Sequence, residues 1–212
     1  MSGFALLYPT YHCFLIDLPT LNHHRILEDN THGVLSILGE YLAGERMTNL
    51  KVVGIGECLV SNNKEDMIRT YALGSCVALV VQHPVSRTCG LVHIALPDSF
   101  LLADARKRKE GYCADTAVPA LLEEIRRETG LYSAMTSGLI ATLAGGARMM
   151  RLKNDYHIGE RIVQKVLDLL QRYKVPVAAM DVGGEVSRTV SLAVGSGEVF
   201  VASPGTKERL LK

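Results

Sequence analysis

Apolar residues recur at helical spacing in two segments of the chain, with charged residues on the opposite face. In the first segment, Leu121, Leu122 and Ile125 are separated by acidic and basic residues. In the second, residues 159–173, five aliphatic side chains fall on one face. A helix with a single apolar stripe produces this pattern. The sequence therefore predicts two amphipathic helices.

The limits of the first helix are indicated by residues that start and stop helices. Asp115 and Thr116 predict its beginning, with Thr116 as the N-cap. Pro119 then falls in the first turn, where a residue without an N–H costs little. Gly130 closes the helix, because glycine readily adopts the left-handed conformation found at helix ends.

Short apolar segments rich in β-branched residues predict strands. The run that ends at Val81 is apolar throughout and fits either a buried strand or a buried helix, since periodicity alone does not separate the two. Strands interleaved with two helices, with hairpin-like pairs near the C-terminus, predict an α/β or α+β fold with a mixed sheet. The predicted strands are 50–55, 90–96, 139–143, 175–180, 189–194 and 198–201.

Residues 1–46 differ from the rest of the chain. They contain prolines, histidines and a polar segment, and residues 34–42 have the spacing of one short amphipathic helix. Met47 opens a segment with the pattern of an ordinary domain, so the chain divides into an extension, 1–46, and a domain, 47–212. Either translation begins at Met47, or the extension is a genuine, poorly packed arm.

Composition and charge exclude several classes of protein. The 212 residues are 48% hydrophobic and carry 23 basic and 22 acidic side chains, a net charge of +1. Without a basic run or any tryptophan, the chain offers no electrostatic or stacking case for nucleic acid. No apolar stretch approaches the roughly 18 residues of a membrane span. The N-terminus also lacks the features of a signal peptide.

The cysteines point to a reducing compartment. There are five, an odd count with no repeated spacing and no CxxC pair, so neither a disulfide framework nor a zinc site is predicted. The cytoplasm is the simplest setting. No metal or organic cofactor is expected.

Cys76 lies between small residues at the entrance to an apolar run. Backbone N–H groups beside it, at Gly74 and Ser75, are free to converge on a carbonyl oxygen that becomes charged under attack. A helix that began at Ser75 or Cys76 would also lower the thiol pKa through its dipole. The alternative is that Cys76 is a small core side chain, as free cysteines commonly are.

His93 is a titratable ring inside an otherwise apolar predicted strand. Its nitrogens need a partner, because burying them unpaired is costly. A thiol is one such partner, and a Cys–His pair is the minimum for thiol catalysis. The alternative is a core histidine with its hydrogen bonds satisfied. The runs that carry Cys76 and His93 are joined by a short turn, which favours spatial proximity, and the Thr70 hydroxyl is placed to orient the imidazole.

Several motifs in order resemble those of the CheD chemoreceptor glutamine deamidases. Thr70, Cys76 and His93 have a spacing similar to the family's, and the resemblance covers roughly residues 50–202. It has no counterpart for residues 1–46, and Cys89 replaces the first glycine of a Gly-Gly pair that the family usually has. The motifs are Thr70-Tyr71-Ala72-Leu73-Gly74-Ser75-Cys76-Val77, Gly90 with His93 and Pro97, Asp115-Thr116-Ala117-Val118-Pro119, Gly145-Gly146-Ala147-Arg148, Ile158-Gly159-Glu160-Arg161 and Asp181-Val182-Gly183-Gly184.

The resemblance implies a cysteine hydrolase that converts receptor glutamines to glutamates, with Cys76 as nucleophile, His93 as base and Thr70 as the orienting residue. It implies mixed sheets packed together with helices outside, as in the catalytic domains of deamidating toxins. Chemotaxis receptors are the implied partners, with a CheC-type phosphatase as a second one. The alternative function is mainly that of a binding partner and regulator of such a phosphatase and of receptors.

Some neighbouring residues have more ordinary interpretations. Gly145-Gly146 and Gly183-Gly184 lack the context of a phosphate-binding loop, so turns or close packing are predicted for them. Asp181 either lines the site or caps a turn. Cys89 is expected close to Cys76 in space.

Overall fold

A computed structural model describes residues 49–101, 109–130, 136–148 and 157–212. These residues form an α+β fold in which the two predicted helices are both present. The strands are β1 Asn49–Val52, β2 Cys58–Ser61, β3 Asp66–Leu73, β4 Val77–His83, β5 Thr88–Ile94, β6 Ile140–Gly145, β7 Val177–Val182, β8 Arg188–Ala193, β9 Glu198–Ala202 and β10 Arg209–Leu210. The helices are α1 Ala114–Thr129 and α2 Ile158–Arg172, and Ser99–Leu101 and Glu110–Tyr112 are short 3-10 turns.

The strands form two mixed sheets of five. In the first sheet the order is β1-β3-β8-β9-β10, and in the second it is β2-β5-β4-β6-β7. The β1–β3 pair and the β6–β7 pair are parallel, and the others are antiparallel. The prediction of mixed sheets packed together with flanking helices is therefore confirmed.

Strand β4 shows why its sequence is apolar at every position. Val77, Leu79 and Val81 belong to a core that includes residues of α1 and α2. Ala78 and Val80 belong to a second core, shared with the first sheet. The second sheet is thus the middle layer of three, and a strand buried on both faces loses the alternation that identifies a half-exposed strand. The ambiguous run is a strand.

The start of α1 differs from its prediction. The helix begins at Ala114 with Cys113 as N-cap, so Thr116 is not the cap, and its hydroxyl donates to the carbonyls of Glu110 and Cys113. Pro119 accordingly lies in the second turn and not in the first. The end is as predicted, since Gly130 is left-handed and its N–H donates to the carbonyls of Arg126 and Arg127.

Three strands, β2, β3 and β10, were not predicted from the sequence. Strand β2 pairs with β5 in the second sheet, and β10 pairs with β9 at an edge of the first. Residues 1–48 lie outside the described residues, so the extension 1–46 and its helix at 34–42 remain predictions.

A chain that begins at Met47 is expected to unfold cooperatively, with a midpoint close to that of the full chain. The physical reason is that the described residues already form both cores, from Val53 to Val201. Thermal unfolding followed by circular dichroism checks this. Loss of the cooperative transition would show that residues 1–46 contribute to a core.

Candidate active site

Cys76 lies in the loop between β3 and β4, one residue before β4 begins. No helix starts there, so the proposed lowering of its pKa by a helix dipole is wrong. Burial instead raises the pKa of the half-buried Cys76 thiol, and a hydrogen bond from the backbone N–H of Cys76 itself partly opposes this. At neutral pH the thiol is protonated, and a base is required to activate it.

The Cys76 loop is held by a glycine segment that follows β6. Gly146 N–H donates to the Cys76 carbonyl at 2.7 Å, and Ala147 N–H donates to the Gly74 carbonyl at 2.8 Å. Gly145 has a φ of +113°, and a Cβ there would lie 2.3 Å from the Cys76 carbonyl oxygen. Close packing against the Cys76 loop is thus the reason for glycine at this position.

Gly145→Ala should lower the free energy of unfolding by about 3 kcal/mol or more, because strained backbone and a backbone clash add. Gly130→Ala is the matched control. Gly130 also has a positive φ, +67°, but nothing lies within 4 Å of its Cβ position, so only about 1 kcal/mol is expected. Urea unfolding of both variants measures the difference. An equal loss of unfolding free energy in the two variants would show that the Cys76 loop moves aside for the added Cβ at little cost.

His93 lies on the same face of the second sheet as Cys76. Its cross-strand partner in β4 is Ala78, and Cys76 precedes Ala78 by two residues. Residues two apart on a strand project to one face, and diagonal neighbours across an antiparallel pair are within reach of long side chains. This register places Cys76 and His93 at diagonal positions on the face that meets the first sheet.

Thr70 connects this pair to the first sheet. Its hydroxyl lies 2.8 Å from the Val53 carbonyl oxygen and 2.7 Å from His93 Nδ1. A carbonyl only accepts, so the single hydroxyl proton of Thr70 is donated to Val53, and Thr70 accepts from His93 Nδ1–H. The imidazole proton is thereby fixed on Nδ1, and the lone pair is on Nε2.

His93 Nε2 is the buried side-chain polar atom that has no hydrogen-bond partner among the described residues. The side chain is only 3% exposed. Burial lowers the pKa of His93 to about 4, so the ring is neutral at pH 7. A neutral, correctly oriented imidazole with a free Nε2 lone pair is chemically suited to accept a proton from a thiol.

The two predicted oxyanion donors differ in their availability. Gly74 N–H donates to the Ala72 carbonyl at 2.9 Å, and it is therefore occupied. Ser75 N–H has no acceptor among the described residues, and Cys76 N–H is directed at its own sulfur. Donors for a developing oxyanion are accordingly expected from Ser75 and Cys76 and not from Gly74.

Comparison with known proteins identifies the family. The family model described as CheD chemotactic sensory transduction matches residues 95–203, a region that begins two residues after His93. A protein of Syntrophotalea carbinolica named probable chemoreceptor glutamine deamidase CheD is 41% identical over 154 residues, which span 73% of this chain and 94% of that protein. The chain belongs to the CheD family.

Other CheD relatives show the same extent of similarity. The chemoreceptor glutamine deamidase CheD of Thermotoga maritima is 38% identical over 76% of this chain and 96% of its own length. A probable one from Symbiobacterium thermophilum is 38% identical over 76% and 97%. Among solved structures, the hypothetical protein YfiH of Bacillus licheniformis has a TM-score of 0.38 at 10% identity, over 65% of this chain and 61% of its own. That similarity is too low for an inference.

Two other described cysteines of this CheD chain, Cys58 and Cys89, differ from Cys76 in position or reactivity. Cys89 pairs with Gln82, six positions along from Cys76, which is roughly 20 Å at the rise of a strand. The expected proximity of Cys89 and Cys76 is therefore wrong. Burial raises the pKa of Cys89 to about 11 and that of Cys58 to about 12, so both are poor nucleophiles at neutral pH.

Asp181 has a role that its sequence context did not indicate. It neither lines the site as an isolated carboxylate nor caps a turn, but forms ion pairs with Arg188 and Arg209. The buried Arg188 guanidinium also donates to the carbonyls of Gly183 and Val186. This network joins β7 of the second sheet to β8 and β10 of the first beside the Cys76 loop.

Two site residues escaped the sequence reasoning. Val53 acts through its backbone carbonyl, which carries no side-chain signal. Arg188 directly precedes the predicted strand 189–194, and its burial is known only from the structure. Within the described ranges, no group of three His, Cys, Asp or Glu side chains is arranged to hold a metal ion. Helices in the same part of the chain are too short or too polar to cross a membrane.

Proposed function

We propose that this chain hydrolyses the side-chain amides of specific glutamines on chemotaxis receptors, giving glutamate and ammonia, with Cys76 as nucleophile and His93 as general base. Two relatives that match this chain over nearly their whole length carry the name chemoreceptor glutamine deamidase, one of them as a probable one. Cys58, Cys76 and Cys89 are free thiols, which supports action in the cytoplasm. A CheC-type phosphatase as second partner stays a prediction from the resemblance.

One observation carries the proposal. The Thr70 hydroxyl bridges the Val53 carbonyl and His93 Nδ1, which leaves the buried Nε2 without a partner among the described residues on the face it shares with Cys76. An orphaned buried nitrogen costs stability, and a functional requirement is one reason for a protein to retain it. A general base is such a requirement.

The reaction starts from a neutral pair. The Cys76 S–H proton passes to His93 Nε2 as the sulfur attacks the glutamine carboxamide carbon, and the amide π electrons move to the oxygen. The N–H groups of Ser75 and Cys76 stabilise that oxyanion. The oxyanion collapses, the C–N bond breaks, and Nε2–H gives its proton to the departing nitrogen, releasing ammonia.

The product of the first half is a thioester between Cys76 and the former glutamine. His93, neutral again, takes a proton from water as the water oxygen attacks the thioester carbon. Collapse of the second tetrahedral intermediate breaks the C–S bond, and the thiolate recovers its proton from Nε2–H. The side chain leaves as a carboxylate. Thr70 keeps the ring oriented through both halves, a role like that of the third member of a catalytic triad.

Mass spectrometry of a receptor cytoplasmic fragment incubated with the purified protein tests the proposal. A mass gain of about one dalton per modified glutamine is expected, with equimolar ammonia release. The same fragment incubated with the Cys76→Ser protein is the control. Binding of the fragment without any mass gain would instead favour the alternative, a regulator that acts by binding.

The rate should stay high to unusually low pH. A general base works when it is unprotonated, so kcat/KM rises with pH through the pKa of His93 and is level above it. Burial places that pKa at about 4, and the activity at pH 5.5 should therefore be close to that at pH 7. Ammonia release between pH 3.5 and 8 measures the profile, with circular dichroism to confirm that the protein stays folded. A half-point near the ordinary histidine value of about 6.5 would show that His93 is more hydrated than its burial indicates.

A further inference from the structure

Exposed apolar side chains are concentrated at the end of the molecule that carries Cys76. Five large ones surround the loops at this end, and each is between 39% and 77% exposed. Elsewhere in the described residues, three more lie on the outer strands β1 and β7, and Val85, 88% exposed, lies in the hairpin at the opposite end. The five, here called the apolar rim, are Ile55, Tyr71, Phe100, Leu101 and Val186.

Backbone contacts tie the rim to the site. Ile55 lies between Val53, which accepts from Thr70, and Gly56, whose N–H donates to the His93 carbonyl. Tyr71 directly follows Thr70. Phe100 and Leu101 lie in the turn that follows β5 beyond His93.

Val186 belongs to the loop on the opposite side of Cys76. Its carbonyl accepts from Arg188, and Arg188 pairs with Leu73, three residues before Cys76. Anything large enough to bring a side chain to the thiol therefore meets this rim.

The strands at the site leave no edge for an extended peptide to join. Cys76 leads into β4, which is paired on both sides by β5 and β6, and Thr70 lies in β3, between β1 and β8. A substrate backbone thus cannot bind as an added strand. Recognition has to come from side chains, and the substrate must satisfy its own backbone hydrogen bonds, as a folded segment does.

Among the described residues at this end, three acidic side chains are held in ion pairs. Glu57 pairs with Lys109 and Asp98 with Lys165. Asp181 pairs with Arg188 and Arg209. The apolar side chains of the rim complement an apolar partner surface.

We infer that the apolar rim is the docking surface for the substrate protein, and that it selects glutamines presented on a folded surface where their neighbours are apolar. This inference rests on the proposed function for the identity of the substrate. It adds the basis of substrate selection. The Cys76–His93 pair performs the chemistry, and contacts with the rim determine which glutamine reaches that pair.

The test is the dissociation constant of a folded receptor cytoplasmic fragment, measured by calorimetry. Ile55→Ser, Phe100→Ser and Val186→Ser should each weaken binding about 10-fold, the loss expected when one partly buried apolar contact is removed. Val85→Ser, which removes an apolar side chain that is also exposed but lies at the far end, should bind as wild type does. Urea unfolding of all four variants should give the wild-type midpoint, since these side chains are exposed.

Three results would overturn the inference. Unchanged binding in the three rim variants would remove the rim from recognition. Binding that weakens more than about 10-fold between 50 and 500 mM salt would indicate charge-driven docking instead. A wild-type dimer in sedimentation that Phe100→Ser breaks and Val85→Ser does not would assign the rim to self-association. Ammonia release is recorded in the same samples, so a protein that binds through its rim and releases none refutes the proposed function and supports the docking surface.

Discussion

Cys76→Ser and His93→Ala should each reduce glutamine deamidation by about 10,000-fold or more, and the double variant should be no worse than either single one. The two residues act as a unit, because a thiol with a raised pKa stays protonated without its base, and the base has nothing to activate without the thiol. Ammonia release from a receptor fragment under single-turnover conditions measures all three variants. Additive losses would mean that Cys76 and His93 act in separate steps.

Cys89→Ser is the matched control for the nucleophile. Cys89 is a more deeply buried thiol, and its sulfur contacts the Val194 carbonyl, an acceptor that a serine hydroxyl can also use. Deamidation by this variant should be within a few-fold of wild type. If Cys76→Ser destabilises the fold by several kcal/mol, the scale of core disruption, and keeps its activity, then Cys76 is a core residue and the proposed mechanism is wrong.

Proximity of Cys76 and His93 was predictable because the connection between their strands is short. A turn after His83 returns the chain as β5 beside β4, and hairpin neighbours share a face at alternate positions. The orienting role of Thr70 was predicted from the family spacing, and its hydrogen bond to His93 is present. The second hydrogen bond of Thr70, to the Val53 carbonyl, could not be predicted from the sequence, because every residue type has a backbone carbonyl.

The errors have a common origin in long-range packing. A helix start at Cys76 was considered because a strand buried between a sheet and two helices has no polar alternation to reveal it. The position of Cys89 was wrong because sequence separation does not tell which end of a hairpin a residue occupies. At α1, Cys113 has an extended conformation and is the N-cap, three residues before the predicted cap Thr116.

Arg188 shows how the region around Cys76 depends on an interaction that the sequence analysis did not predict. A buried arginine in a strand requires a carboxylate, and Asp181 was already noted as a residue of uncertain role. Their ion pair at 2.9 Å connects the two sheets next to the Cys76 loop. Asp181 and Arg188 are close in sequence, on either side of a turn. Their pairing can be inferred only when their two strands, β7 and β8, have been assigned to different sheets.

Thr70→Val should lower kcat by about 10- to 1,000-fold, the range for losing one supporting hydrogen bond in a preorganised site. Valine has the shape of threonine but no hydroxyl, so His93 Nδ1–H loses its acceptor, and the Val53 carbonyl loses its donor. Without that acceptor, the ring proton is no longer held on Nδ1. Part of the population then carries the proton on Nε2, where it blocks the base.

Thr70→Ser is the control, because it keeps the hydroxyl and removes only a methyl group. Its kcat should be within a few-fold of wild type, whereas Thr70→Ala should resemble Thr70→Val. The NMR chemical shifts of the His93 ring nitrogens separate orientation from mere folding: wild type and Thr70→Ser should show a single Nδ1–H tautomer, and Thr70→Val a mixture. A slow Thr70→Val variant with an intact Nδ1–H tautomer would mean that Thr70 supports the fold of the site and does not orient the base.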